Sequence, residues 1–384
     1  MASGSRTAGH WTARLLAAGV LLALAGPVAA QTGAGSSGSV GPGGHTTSMV
    51  SQDGKRFVSM TIDAEQGPTL ATHPKERFRE IVRCFTRYKG AIWFGTYGRG
   101  LFRLADGKLE NLTHANSSLV EDRVNCLAVR SDELWVGTCA GINVVDGSGA
   151  WRLILESDGV ADHIFHVIET DSRNRVWVGT VGKGLSVWDG KTWRTFTATK
   201  DRLAGDWVND VQETPDGCLW AATISGLSRR CGEGRWTHQM GREFPIYANA
   251  TALALQGDSL WVGFANDGLF VWEGGMWLRP PPRLLPAPTV RTMTIDGSKA
   301  LWVGTESGVA CYDVKRDFET QAANAGLEDR NIRALYCDPD TGDLYAGSVG
   351  GWVYRRGSGD TRWHILVRQG RLVVAPATRK EMGK

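Results

Sequence analysis

The chain has 384 residues, of which 49 are glycine and 16 are tryptophan. Charged residues make up 22% of it and hydrophobic residues 42%, a balance that excludes a disordered polymer and a coiled coil. The 43 basic and 40 acidic residues leave a formal net charge of +3, which excludes the strongly basic surface typical of nucleic-acid-binding proteins.

The first recognisable element is an apolar run at Leu15–Ala25, preceded by Arg6 and Arg14 and followed by small residues up to Ala30. This arrangement predicts a signal peptide over residues 1–30, cleaved after Ala30. A transmembrane helix needs about 20 apolar residues, and this shorter run is broken at Pro27. We therefore expect a Sec-type exported protein, periplasmic or secreted, without stable membrane insertion after the signal peptide is removed.

Two segments separate this signal from the main body of the chain. Residues 31–50 are rich in glycine and serine and predict a flexible spacer. Residues 51–78 are an N-terminal extension in which Lys55–Ile62 is strand-like. At the other end, residues 368–384 are expected to form a C-terminal tail.

One short motif recurs seven times in the rest of the chain, at intervals of 41 to 43 residues. The copies are IWFGT at Trp93, LWVGT at Trp135, VWVGT at Trp177, LWAAT at Trp220, LWVGF at Trp261, LWVGT at Trp302 and LYAGS at Tyr345. A constant period of this length indicates stacked supersecondary units, because one such unit cannot bury its own apolar faces.

Each unit contains four short strand-like runs joined by turns, and helical periodicity is absent. The prediction is an all-β fold, a seven-bladed β-propeller of four-stranded antiparallel blades over residues 79–367. The rival is a β-helix, whose repeats are typically much shorter. We expect the first strands of the blades to begin near Ile81, Val124, Ile164, Val208, Thr251, Val290 and Ile332.

The closure of the ring has two candidate strands. Arg362–Val367 is predicted to supply the outer strand of the last blade. Lys55–Ile62 is the alternative, since it could add a strand at the closure or replace that run.

The tryptophans follow the repeat. Six occupy the second-strand motif, and five more open the predicted fourth strands: Trp151, Trp193, Trp236, Trp277 and Trp363. Large rings at fixed positions fill the wedge between neighbouring sheets, so these side chains are predicted to be core. Trp207 falls outside these positions, in a connection, and an exposed stacking platform there is as plausible as local packing.

The unit resembles the two-component regulator propeller repeat, which occurs in ligand-binding sensor domains of bacterial hybrid histidine kinases. The matching stretches are DSRNRVWVGTVGKGLSVWDG, ETPDGCLWAATISGLSRR and GDSLWVGFANDGLFVWEG, and the resemblance covers residues 79–367. It implies an extracytoplasmic propeller that senses a ligand or a partner. This chain has a single propeller, and no kinase or DNA-binding segment follows it, so we do not expect it to transmit a signal directly.

In a propeller, the connection that enters each first strand and the turn between the second and third strands lie on one face, around the channel mouth. Loops held on a rigid scaffold commonly carry binding sites. We predict that a polar or anionic ligand, or a protein partner, binds there, because arginine and lysine suit carboxylates and sulfates. The predicted ligand-binding residues are Arg99, Arg123, His163, Lys183, Trp207, Asn209, Arg291 and Arg333.

Alternatives are open for these residues. The basic side chains could be solvated turn residues paired with Glu121, Asp122, Glu328 and Asp329. Asn209 could cap backbone donors at the start of a strand. His163 and His166 form His-Ile-Phe-His, but no further zinc-ligand motif accompanies them, so no metal and no cofactor are predicted.

Seven cysteines are present, an odd number for an exported protein. Around the hairpin at Ile224-Ser225-Gly226, the pairing register places Cys218 opposite Cys231. Opposed positions in a hairpin bring the Cβ atoms to about 4.5–5.5 Å, close enough for a disulfide after a small adjustment. We predict that these two cysteines form a disulfide.

The leading functional interpretation is a noncatalytic exported propeller that binds a ligand or a protein at its channel mouth. One alternative is a lyase or hydrolase, which strongly shifted carboxylates or histidines in the mouth would favour. The other is a structural or assembly scaffold, which a smooth apolar patch on one face would favour.

Overall fold

The structure is a computed structural model. It describes the strands at 45–50, 57–63 and 67–70, and then residues 80–239, 244–245, 248–281, 285–313, 317–319 and 322–373. The predicted signal peptide and most of the spacer lie outside the described residues, as do residues 374–384. The chain divides into two compact units, residues 1–75 and 76–384.

The first unit contains a three-stranded antiparallel sheet made of His45–Val50, Phe57–Asp63 and Gly67–Leu70, with the second of these in the middle. The strand-like run at Lys55–Ile62 is therefore a strand. It pairs with both other strands of this sheet.

The second unit is a seven-bladed β-propeller, as predicted. Blade 1 consists of Val82–Tyr88, Ala91–Thr96, Leu101–Ala105 and Lys108–Leu112. Blade 2 consists of Val124–Arg130, Glu133–Thr138, Ile142–Val145 and Trp151–Ile154. Blade 3 consists of Phe165–Thr170, Val176–Thr180, Leu185–Trp188 and Trp193–Phe196. Blades 4 and 5 are formed by Val208–Glu213, Cys218–Thr223, Gly226–Cys231 and Thr237–His238; and by Ala250–Gln256, Ser259–Phe264, Gly268–Glu273 and Met276–Leu278. Blades 6 and 7 are formed by Val290–Ile295, Leu301–Thr305, Gly308–Asp313 and Asp317–Glu319; and by Ile332–Cys337, Leu344–Ser348, Trp352–Arg356, His364–Arg368 and Arg371–Leu372.

Every blade is an antiparallel meander, and its first strand, called the inner strand here, starts within one residue of the predicted position. The predicted outer strand of the last blade is His364–Arg368, and Arg371–Leu372 adds a short fifth strand. The described helices are single turns at Glu156–Asp158, Ala198–Asp201 and Ala322–Asn324. No helix among the described residues is long and apolar enough to cross a membrane.

The repeated motif builds the core between blades. Trp135, Trp177 and Trp220 are fully buried, as expected from their place on the second strands. The glycine of the motif allows the next blade to approach: a Cβ on Gly179 would lie 2.9 Å from the Cβ of Val208 in the following blade. The motif therefore supplies both the filling of the wedge and the close contact between sheets.

The threonine of the motif shapes the turn that follows it. The hydroxyl of Thr180 donates to the carbonyl of Gly184 (2.9 Å) and accepts from the backbone N–H of Lys183 (3.0 Å). Thr96 makes the same two bonds around Arg99. These bonds hold both predicted binding residues in a defined turn at one end of the blade.

Cys218 and Cys231 face each other in register and form a disulfide, with their Cα atoms 4.2 Å apart. The other five cysteines form no disulfide. The disulfide links the second and third strands of blade 4.

Candidate functional site

The inner strands share one irregularity near their first residue. In each blade the pairing with the second strand shifts by one residue, which leaves one extra residue in a β-bulge. A bulge re-aims the side chain of the extra residue. These seven residues, called the bulge ring here, are Arg83, Asn125, His166, Asn209, Thr251, Arg291 and Arg333.

In three blades the bulge residue ties its blade to the next one. Asn125 donates through Nδ2 to the carbonyl of Phe165 (3.0 Å), and Asn209 donates in the same way to the carbonyl of Ala250 (2.7 Å). The hydroxyl of Thr251 donates to the carbonyl of Val290 (2.7 Å). Each acceptor is the first residue of the next inner strand, so a short polar side chain acts here as a staple between blades.

Blades 6, 7 and 1, which are neighbours in the closed ring, carry arginine at the same position. The side chain of Arg83 reaches past blade 2, and its Nη2 lies 3.0 Å from Nε2 of His166 in blade 3. Arg291 lies 3.4 Å from Glu306, and its Nε is buried without a partner. Three neighbouring blades thus carry a long cationic side chain at the bulge position.

His166 is neutral in this setting. Burial, and then the charges of Arg83 and Arg333, hold the pKa of His166 well below its usual range. Because a guanidinium only donates, Nε2 of His166 must accept from Arg83, and the ring proton sits on Nδ1. This Nδ1 is buried, and a backbone hydrogen bond with Asn209 partly opposes the lowering of the pKa.

Trp207 lies in the connection that enters blade 4, where its backbone bridges to Val181. Its ring meets that of His166 edge to face, with centroids 6.4 Å apart and planes at 75°. The side chain is half-buried, and its Nε1 is buried without a partner. The ring of Trp207 is thus partly packed against His166 of the bulge ring and is not a fully exposed stacking platform.

Two of the predicted arginines are paired at the rim. Arg99 pairs with Glu80, and Arg123 pairs with Glu121 at 2.9 Å while lying 5.8 Å from the ring centre of Tyr97. The sequence suggested four acidic partners for the basic residues. Among the described ion pairs, Arg123 is paired with one of these, Glu121.

His163 and Lys183 belong to a second cluster on the same face. Nδ1 of His163 lies 2.9 Å from Oε1 of Glu156 and 3.3 Å from Oδ1 of Asp162. The bond from His163 lowers the pKa of Glu156, and the charge of Lys183 contributes to this. The candidate ligand atoms of Glu156, Asp162 and His163 lie within 4.8 Å of one another, a geometry that could hold a metal ion.

The neighbouring turns and connections do meet at this face. The N–H groups of Gly98 and Gly100 donate to the carbonyl of Asp122, at 3.1 and 2.8 Å. Those of Gly182 and Gly184 donate to Asp206, at 3.2 and 2.7 Å. The turn of Arg99 is thereby joined to the connection of Arg123, and the turn of Lys183 to the connection of Trp207.

Two carboxyl groups lie on adjacent inner strands of blades 3 and 4. Asp210 accepts from the N–H of Val211 (2.8 Å) and from that of Leu253 in the next blade (2.7 Å). Desolvation raises the pKa of Asp210 to about 7. Desolvation by the surrounding residues, and then the charge of Asp210, also raise the pKa of Glu169 to about 8, although its side chain is solvent-exposed.

The sequence prediction missed Arg83, and it selected His163 from His-Ile-Phe-His although His166 is the bulge residue. Aligning the seven inner strands would have found both. In that alignment Arg83 and His166 stand in the same column as Asn209, Arg291 and Arg333, which were predicted. Glu169 and Asp210 carried no such signal, because their pKa values depend on residues that only the fold brings around them.

The large exposed apolar side chains among the described residues are scattered. They are Leu153, Leu155, Ile224, Met276, Leu278 and Val373, which belong to blades 2, 4, 5 and 7. They do not provide the smooth patch on one face that would favour an assembly scaffold.

No protein-family model and no curated protein matches the sequence. Solved structures do match the fold. The extracellular domain of BT4673, a proposed one-component system of B. thetaiotaomicron, superposes with a TM-score of 0.61 at 18% identity, covering 73% of this chain and 38% of that one. The extracellular domain of BT3049, a proposed hybrid two-component system of the same organism, gives 0.60 at 16% identity, covering 72% of this chain and 39% of that one.

A lyase also has this fold. Virginiamycin B lyase from Staphylococcus aureus superposes with a TM-score of 0.59 at 14% identity, covering 72% of this chain and 94% of that one. This chain thus matches less than half of each extracellular domain but nearly the whole lyase. At identities of 14 to 18% the likeness concerns the fold alone. The resemblance to sensor-domain propellers is therefore confirmed at the level of fold: the chain is a seven-bladed β-propeller of the kind found in these extracellular domains.

Proposed function

We propose that this protein is an exported, noncatalytic binding propeller whose channel mouth holds a ligand with an anionic group. One observation carries the proposal. The bulge position holds arginine in three neighbouring blades, whereas in blades 2, 4 and 5 it holds a short side chain that ties one blade to the next. A long cation is not needed for the staple, so the arginines serve another purpose.

The chemistry of these side chains selects the ligand class. Guanidinium groups bind carboxylates, sulfates and phosphates through charge-assisted bonds, each contributing about 1.5–3 kcal/mol in a partly desolvated site. The whole chain has a formal charge of only +3, so the attraction is local to the mouth. The extracytoplasmic setting follows from the predicted signal peptide and is supported by the extracellular neighbours.

The test is a thermal-shift and calorimetric screen of the full chain against small anions, including acetate, citrate, sulfate and phosphate. The double variant R291A/R333A is expected to weaken the binding of any hit by about 100-fold or more, because two charge-assisted bonds are lost. The matched control is R152A/R194A, which removes the same charge from exposed outer-strand positions and should bind as the parent does. Equal affinity of both folded double variants would place the site elsewhere.

An enzyme is the second candidate, because the chain contains a histidine and two carboxyl groups with strongly shifted pKa values. His166 is held neutral, and Glu169 and Asp210 have pKa values near neutrality, as proton-transfer groups do. Against this, both oxygens of Asp210 are engaged by backbone N–H groups, which is a structural use. Mass spectrometry of each screening hit after incubation with the protein tests turnover, and a product that disappears with E169Q would favour the lyase or hydrolase.

A further inference from the structure

We propose that Glu156, Asp162 and His163 form a binding site for a divalent transition-metal ion of the Zn²⁺ type. The three residues lie in the connection that enters blade 3. This inference goes beyond the proposed function and does not depend on it, because none of the three belongs to the bulge ring. The sequence alone predicts no metal here, since the ligands follow no standard zinc spacing and meet only because the connection folds back on itself.

The candidate ligand atoms converge. Nδ1 of His163 lies 2.9 Å from Oε1 of Glu156 and 3.3 Å from Oδ1 of Asp162, and one ligand atom from each residue lies within 4.8 Å of the other two. For any three atoms this close, a point exists within about 2.8 Å of each, and zinc ligands lie about 2.0–2.2 Å from the ion. Side-chain shifts of well under one ångström therefore complete the coordination.

The donor set selects the class of ion. An imidazole nitrogen with two carboxylates suits Zn²⁺ and its first-row neighbours, whereas Ca²⁺ and Mg²⁺ prefer oxygen ligands throughout. The charge of Lys183 acts on both carboxylates, but two carboxylates against one ammonium leave the site negative when His163 is neutral. Three protein ligands leave at least one coordination position for water or an anion, as in open zinc sites.

The aspartate of this connection is used differently from its counterparts. On entry into blades 2 and 4, Asp122 and Asp206 each accept from the backbone N–H of the residue eight positions earlier, both at 2.7 Å. Asp162 instead accepts from the N–H of its neighbour His163, at 2.8 Å. The side chain of Asp162 is 5% exposed, whereas those of Glu156 and His163 are 48% and 57% exposed. A fixed carboxylate is thus combined with two ligands that an ion can approach from solvent.

The chain contains a matched control for nonspecific binding. Nε2 of His364 lies 3.7 Å from Oδ2 of Asp360, and the side chain of this histidine is as exposed as that of His163, at 57%. Among the residues that the structure describes, the connection into blade 3 holds the single group of three metal-ligand side chains. The pair at His364 therefore tests a histidine with one carboxylate.

The experiment is a calorimetric titration of the full chain with Zn²⁺, for the parent and for H163A, E156Q and H364A. Both ligand substitutions are at exposed side chains, so these variants should keep the fold, and circular dichroism checks this. The parent is expected to show a saturable site that H163A and E156Q each weaken by about tenfold or more, while H364A binds as the parent does. Ca²⁺ should bind more weakly than Zn²⁺. Spectra of ¹⁵N-labelled histidine should show His163 coordinated through Nδ1, with its proton on Nε2.

Three results would overturn the proposal: no saturable binding of Zn²⁺ by the parent, unchanged binding in folded H163A and E156Q, or an equal loss in H364A. The last result would assign the binding to exposed histidines in general. The titration contains none of the anions used to test the channel mouth. Its failure would therefore leave the arginines of the mouth untouched, and failure of the anion screen would leave this site untouched.

Discussion

The seven bulge residues perform two tasks from the same backbone position. Three of them, Asn125, Asn209 and Thr251, have short side chains that each donate to one backbone carbonyl in the next blade. Arg83 passes over a whole blade to reach His166. Side-chain length at one repeated position therefore separates residues that tie neighbouring blades together from the arginines for which we propose ligand binding.

The staple should be measurable at Thr251, where valine keeps the shape and removes the hydroxyl. We expect T251V to lower the free energy of unfolding by about 1–3 kcal/mol, because the carbonyl of Val290 loses its staple donor inside the protein. T237V removes an exposed threonine bond to a carbonyl and should cost less. Urea unfolding of both variants checks this, and equal losses would contradict a role as staple.

Glu169 should make stability depend on pH. Its pKa is about 8 in the folded protein against an ordinary value of 4.5, so the folded state binds the proton more tightly. Its contribution to stability is present at acidic pH and is lost as pH rises from about 4.5 through 8. We expect E169Q to be more stable relative to the parent at the alkaline end of this window.

The measurement is the urea midpoint of parent and E169Q across that range of pH. D210N is the companion variant, because removing the charge of Asp210 should lower the pKa of Glu169. Parallel pH profiles for parent and E169Q would show that Glu169 does not titrate as described.

At the scale of the element, the second strand is the part that repeats most faithfully. Its tryptophan fills the wedge, its glycine admits the next blade, and its threonine shapes the following turn. The cost of changing the glycine is predictable from the neighbouring blade. A Cβ at position 179 would lie 2.5 Å from Cγ1 of Val167 and 2.9 Å from Cβ of Val208.

We therefore expect G179A to destabilise the protein by about 1–3 kcal/mol through overpacking. Gly297 is the matched control, since a Cβ there meets nothing within 4 Å and its φ lies outside the left-handed region. Thermal unfolding of G179A and G297A compares the two. A neutral G179A would mean that the blades separate easily.

At the scale of the whole molecule, the ring closes without exchanging a strand between the first and last blades. Blade 1 is complete within residues 82–112, and the five strands of blade 7 lie within residues 332–372. Side chains join them instead. Arg87 of blade 1 pairs with the fully buried Asp338 at 2.7 Å and with Asp340 at 2.6 Å, and its backbone N–H donates to Tyr336.

R87A should accordingly weaken the closure. We expect a loss of about 3 kcal/mol, because Asp338 would keep a buried charge without its cation. R103A, which breaks an exposed pair with Glu110 in the same blade, should cost less than about 1 kcal/mol. Denaturant unfolding measures both, and a small effect of R87A would show that other contacts carry the closure.

The number of blades, their strands and the starts of those strands were determined by the sequence alone. The reason is that each blade is a local unit: its strands are consecutive, its turns are short, and the motif at Trp177 or Trp302 recurs at a fixed period. The hairpin register that brings Cys218 opposite Cys231 is local in the same way.

Only the tertiary structure decided which residues meet in the mouth. Arg83 and His166 are 83 positions apart, and their contact exists because the closed ring turns seven inner strands towards one channel. The bulge that re-aims these side chains leaves no mark in the composition of any single blade. The charges that help to shift the pKa values of Glu169 and His166 belong to other blades. Local patterns thus specify the blades, whereas the chemistry of the mouth depends on distances and desolvation that arise only when the ring has closed.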